Sequence, residues 1–176
     1  MSAGPWSAPI AVVDIPETGR HVDLVADEAA RAALAKVAGV VSVPWLEAGF
    51  DLARHGREGL RVVGHVSATV EQNCVRTLEL IENAIEEDID LLFTPEGAAV
   101  NSAANDGADA DEPPEVLRNG IVDLGAVATE FLLLGIDPYP RKPGSVFDAP
   151  KAVEDPAAHP FAALATLKKP ERKNGD

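Results

Sequence analysis

The chain has 176 residues, 46% of them hydrophobic and 25% charged, a composition that supports one globular domain with its own core, followed or not by a tail. Its 15 Lys and Arg stand against 29 Asp and Glu, a formal charge of −14. Phosphate-backbone affinity comes from cations that displace counterions, so this balance argues against a general nucleic-acid binder and leaves room for a basic protein partner. Aromatics make up only 5%, which supplies a base-stacking surface poorly. The single cysteine, Cys74, excludes an internal disulfide and fits a reducing compartment. No apolar run reaches the length of a membrane span, and Met1 to Val13 lacks the basic and long apolar parts of a signal peptide. The expected location is cytoplasmic, with no membrane contact.

Ile10 to Ile15 is a short strand candidate stopped by Pro16. Asp27 stands where an N-cap belongs, ahead of an Ala-rich helix over about 27–38 that ends at Gly39. Its predicted buried face holds Ala30, Ala33, Leu34 and Val37. From Val41 to Leu52 the apolar positions switch from odd to even numbers, which predicts a bulge or break near Pro44 to Leu46.

Leu60 to Cys74 alternates with period two. Leu60, Val62, Val66, Ala68 and Val70 lie on the dry side; Arg61, His65, Ser67 and Glu71 lie on the wet one. At about 3.3 Å per residue this strand would run about 50 Å, long enough to expect a bend at Gly64. A second alternation sets Ile81, Ile85, Ile89, Leu91 and Phe93 against Glu82, Glu86, Asp88 and Asp90. Segments 46–54, 60–74 and 81–93 therefore read as an antiparallel meander.

Residues 95–115 have little to bury and read as a mobile acidic loop. Between Arg76 and Arg118 there are 12 acidic residues and no basic one. Asp123 then caps a second helix, with Leu124, Val127, Phe131 and Leu134 on one face and Gly135 at its end. The exit, Asp137-Pro138-Tyr139-Pro140-Arg141-Lys142-Pro143-Gly144, is stiff and extended because proline fixes φ and disfavours helix before it. Residues 1–144 read as one α+β domain and 145–176 as a linker and short tail, carrying Phe161, Leu164, Lys168 and Lys169. The fold class expected is α+β: a bent antiparallel meander, curling towards a barrel, packed with two α-helices.

Chemistry-bearing residues are sparse. Cys74 has no second cysteine to share a metal, and His65 lies at an odd spacing from it, on the opposite side of an extended strand. Arg76 is close enough to favour a thiolate, yet no histidine is near in sequence to act as its base. The carboxylates of 82–90 share one wet face. Acid–base catalysis needs carboxylates in unlike environments, whereas such a row suits a solvated face that discourages edge aggregation, or a docking surface for a cationic partner. The Pro-rich segment is either a stiff connector or a preformed surface with a low ordering cost. Phosphate-binding, dinucleotide-binding, zinc-protease and serine-hydrolase motifs do not occur.

Three stretches carry a family resemblance: Val66 to Ile81 (VSATVEQNCVRTLELI), Asn119 to Gly144 (NGIVDLGAVATEFLLLGIDPYPRKPG) and His159 to Lys169 (HPFAALATLKK). In this order they resemble the bacterial YceD family, the large ribosomal RNA subunit accumulation proteins. Cys74, Arg76 and Asp123 are the motif residues. Many members place a second cysteine where this chain has Thr77, so a metal or redox role for that turn is not supported. The resemblance implies a part in accumulation of large-subunit (23S) rRNA, with no catalytic residues to carry over. The family's gene often lies beside that of a small basic ribosomal protein, which suggests a partner.

The expected function is that of a non-enzymatic ribosome-biogenesis factor without cofactor or metal. It would touch a basic, ribosomal protein or an rRNA–protein precursor through Glu82, Glu86, Asp88 and Asp90, through Asp137, Pro138, Tyr139, Pro140, Arg141 and Lys142, and through the tail residues Phe161, Leu164, Lys168 and Lys169. Direct nucleic-acid binding would be weak at most and confined to the basic tail and neighbouring arginines. Two other classes remain open: a metal-dependent hydrolase or nuclease, which needs carboxylates converging in a pocket, and a small-molecule-binding β-barrel, which needs an apolar cavity beside Phe131.

Overall fold

A computed structural model describes residues 4–56, 58–95, 114–146 and 164. The chain divides into two compact units, Met1–Ser145 and Val146–Asp176, and every strand and α-helix described lies in the first. The strands are β1 (Pro9–Ala11), β2 (Arg20–Val25), β3 (Ser42–His55), β4 (Gly59–Asn73), β5 (Leu80–Pro95), β6 (Glu115–Leu117) and β7 (Ile121–Asp123). The helices are α1 (Glu28–Ala38) and α2 (Leu124–Gly135). Five strands form one sheet in the order β2-β3-β4-β5-β6, and β1 pairs with β7 in a separate ribbon. The long pairings are antiparallel, from β2 through β5. Only β6 runs parallel, alongside Phe93–Pro95. The class is α+β, and among the described residues the sheet stays open rather than closing into a barrel.

Period-two patterning produces the three long strands, and the β3–β4 register shifts between Ser42 and Trp45, where the apolar parity changes. Leu46, Phe50 and Leu52 of β3, Leu60, Val62, Val66 and Val70 of β4, and Ile85 and Ile89 of β5 are buried on one side. Both helices cover that side, α1 against β3 and α2 against β5 and β4, contributing Leu34, Leu124, Ala128 and Leu132 to the core. Burial of each large apolar side chain stabilises by roughly 1.5–3 kcal/mol. Gly64 lies where a side chain would strike the Gly49 carbonyl and the Phe50 ring, so its role is close approach between β3 and β4.

Asp27 caps α1 by accepting from the Ala30 amide at 2.7 Å, and Gly39 ends it in the left-handed region at φ 68°. Asp123 caps α2 by accepting from the Gly125 and Ala126 amides.

Some expectations need correction. Of the first strand candidate, Ile10 to Ile15, only Ile10 and Ala11 lie in a strand, β1, and Val12–Asp14 forms a 3-10 turn. Val37 and Leu134 are exposed, because the buried stripes run through Ala30, Leu34 and Ala35 in α1 and through Leu124, Ala128 and Leu132 in α2. The acidic segment ends before Glu115, where parallel pairing draws three residues into β6; residues 96–113 lie outside the described set.

Candidate functional site

The helix-free side of the sheet carries the odd positions of β3 and β4 and the even positions of β5. Register places Asp51 opposite Val63 and Glu47 opposite Ser67. It also places His65 opposite Asp88, Ser67 opposite Glu86, and Glu71 opposite Glu82. Directly opposed like charges destabilise a sheet, and the Glu71–Glu82 pair is such a case. Glu71 is tied down by the Ser42 hydroxyl at 2.7 Å.

The carboxylates of this surface differ in how far they are neutralised. Arg61 grips Asp90 with two bonds, at 3.0 and 2.7 Å. That guanidinium bond holds the Asp90 carboxyl below its ordinary range, although partial burial opposes it. His21 bridges Asp51 at 2.8 Å and Asp23 at 3.0 Å, and the hydrogen bond to Asp51, then that to Asp23, raises its pKa. The β2–β3 side of the surface is thus partly compensated. On β5, Glu86 receives the Ser67 hydroxyl, and no hydrogen bond from the described residues reaches Glu82 or Asp88. Five of the nine residues from Glu82 to Asp90 are acidic.

A second feature forms where β4 ends. Cys74 is fully buried. Its sulfur accepts from the Thr77 amide at 3.5 Å and the Lys142 amide at 3.3 Å. These donors, Lys142 first, lower the thiol pKa to about 6 against the opposing effect of burial. The Pro-rich exit of α2 is stitched to the same corner. Val75 donates to the Pro140 carbonyl at 2.9 Å, and the Gln72 amide donates to the Asp137 carbonyl at 2.9 Å. Lys142 meets both Glu79 oxygens at 3.1 Å, which pulls the Glu79 carboxyl below its ordinary range. Gln72 in turn accepts from Asn83 at 3.0 Å, linking this clasp to β5. Leu78, in the turn, holds a left-handed φ of 59°.

The residues singled out in the sequence therefore fall into separate places. Glu82, Glu86, Asp88 and Asp90 lie in one row along an open strand. Asp137, Pro138, Tyr139 and Arg141 are exposed beside the cysteine corner, Pro140 is buried, and Lys142 faces Glu79. Arg76 is exposed on the Cys74 turn. Asp123 anchors the N-terminal segment, accepting from the Ser7 hydroxyl at 2.6 Å and the Ala8 amide at 2.7 Å. Burial raises its pKa, but these bonds and the helix amides outweigh that and lower it. Leu164 is exposed; Phe161, Lys168 and Lys169 lie outside the described residues.

Among the described residues no group of three His, Cys, Asp or Glu is placed to hold a metal ion, and the β5 carboxylates line a strand instead of converging. A cavity of about 340 Å³ lies against the outer side of α2, lined by Trp6, Ala126, Leu133 and Leu134 among others, and not between the sheet and Phe131. No described helix is long and apolar enough to cross a membrane. No local pattern signals the Cys74 clasp, because Cys74 and Lys142 lie 68 residues apart; the clustering of prolines after α2 is the nearest signal.

The model of one protein family, described as Large ribosomal RNA subunit accumulation protein YceD, matches residues 62–168. That span takes in β4 from Val62 onward, β5, the Cys74 clasp and α2. No curated protein and no solved structure matches the chain.

Proposed function

The chain belongs to the YceD family of large ribosomal RNA subunit accumulation proteins, and from that premise we propose that it acts as a non-enzymatic adaptor in ribosome biogenesis. Its partner is a basic ribosomal protein, or a precursor particle that displays one. The contact runs along the acidic row of β5 and continues onto the exposed Tyr139 and Arg141 of the Pro-rich exit. The observation that carries this reading is the part of the row that nothing neutralises: Asp90 is held by Arg61, but Glu82 and Asp88 have no bonded counter-charge among the described residues, and Glu82 faces Glu71 directly. A stability-optimised surface would intersperse opposite charges, whereas a one-sign strand steers and selects a cationic partner. The family's description concerns the accumulation of an RNA and not a reaction, which fits an adaptor.

Carbodiimide coupling, which joins carboxylates to the amines of a bound partner, together with ultraviolet crosslinking of the full chain in lysate at low salt tests this. The expected adducts are large-subunit ribosomal proteins attached through the β5 face. Adducts confined to unrelated proteins, or metal-dependent RNA cleavage lost on changing Glu86 and Asp88 to Ala, would contradict it.

A further inference from the structure

The sheet ends on two edges, and they differ. β2 carries Arg20 and His21 beside Asp23. The opposite edge is formed by β5 and β6, but β6 covers β5 only at Phe93–Pro95. From Leu80 to Leu92, among the described residues, β5 pairs with β4 alone. One side of that backbone therefore has no strand partner, and such an edge is a template for another strand.

Charge decides which strand fits. Glu82, Glu86, Glu87, Asp88 and Asp90 lie on this stretch, without a Lys, Arg or His. Two copies of the chain meeting edge to edge would set carboxylates against carboxylates, which is destabilising. The same row attracts a strand of opposite sign. Glu82, Glu86, Asp88 and Asp90 are all exposed on one face, while Ile85 and Ile89 are buried on the other. A cationic segment that matches this pleat carries its basic side chains at every second residue.

We infer that the outer edge of β5 between Leu80 and Leu92 accepts an extended segment of a basic partner protein as an additional strand, with Lys or Arg at alternate positions. This inference rests on the adaptor reading above and deepens it. Main-chain pairing supplies affinity, and the acidic row supplies selection.

The test is titration of the full chain, at low salt, with an acetylated and amidated octapeptide of alternating Lys and Thr. Two methylated versions accompany it, one N-methylated at every Lys and one at every Thr. Successive amides of a strand point to opposite sides, so one version loses the bonds towards β5 and the other loses none, with charge unchanged. The expected result is that one version binds about tenfold more weakly or worse, since several hydrogen bonds are removed together, while the other binds like the parent. Hydrogen exchange should show new protection of the outward half of the Leu80–Leu92 amides. Equal binding by both methylated versions would overturn strand addition while leaving the charge-based adaptor intact. Failure of the parent peptide to bind would overturn both. Full protection of those amides in the free chain, or concentration-dependent self-association through this edge, would also overturn the inference, the edge then being occupied by the chain itself or by a second copy.

Discussion

The Pro-rich exit of α2 and the acid-rich strand β5 adjoin one another and use their backbones in opposite ways. In the exit, the Asp137 and Pro140 carbonyls and the Lys142 amide are bonded to Gln72, Val75 and the Cys74 sulfur. Its polar backbone groups turn inward, and what it shows outside is side chain: Tyr139 is 70% exposed. Along β5, from Leu80 to Leu92, the described residues provide a strand on one side only. Buried backbone groups must find partners, so tracing each one separates a clasp from an open edge, even where composition makes both stretches unusual.

The sharpest way to break that contrast is at Gln72, which is 8% exposed and joins the two regions. Gln72→Ala leaves the Asp137 carbonyl and the Asn83 amide without this partner, and should lower stability by about 1–3 kcal/mol in urea unfolding. Binding of the alternating Lys–Thr peptide at a temperature where the variant is folded should be unchanged. Equal loss of binding would mean that clasp and edge are one functional unit.

Asp123 provides a smaller effect outside both regions. Loss of its cap by Asp123→Ala should cost about 1–2 kcal/mol. Its folded pKa is lowered, so its stabilisation is present in full above the ordinary carboxylate pKa of about 4 and is lost as pH falls through the lower folded value. Asp123→Asn should therefore flatten the acid limb of the stability profile, with urea midpoints at pH 7 and pH 3 closer together than in the unaltered chain. An unchanged acid limb would place that titration elsewhere.

The smallest expected change has the opposite sign. Leu78 is 77% exposed and holds φ at 59°, a conformation that costs a branched residue about 1 kcal/mol or more. Leu78→Gly should stabilise the chain by up to about 1 kcal/mol, read from thermal unfolding, because glycine relieves that strain at a higher entropic cost in the unfolded chain. A clear loss of stability would show that the exposed Leu78 side chain makes a contact important to the clasp.

What was legible in the sequence follows the range of the forces. The Asp27 and Asp123 caps act within three residues, and alternation in β3, β4 and β5 reports burial residue by residue, so these elements could be read directly. β2, β6 and β7 are short and exist through their neighbours: β2 through β3, β6 through the end of β5, and β7 through β1. A turn signal was present at Asn119-Gly120, where both residues adopt positive φ and Arg118 bridges to Ile121, as expected of an Asn-Gly hairpin turn. The acidic row was legible as a pattern. Its position at a sheet edge was not, because that depends on β6 stopping at three residues. The grip of the Cys74 sulfur on Lys142 joins distant parts of the chain and leaves no local trace.

The central claim is that the β5 carboxylates recognise a basic partner, and the direct measurement is the affinity of the full chain for RNA-free large-subunit ribosomal proteins across a salt series, compared with Glu82→Gln/Glu86→Gln/Asp88→Asn. The prediction is binding at low salt that weakens steeply as salt rises, with the triple variant weaker by about tenfold or more and no less stable. Binding by the variant equal to that of the unaltered chain, at every salt concentration, would contradict it.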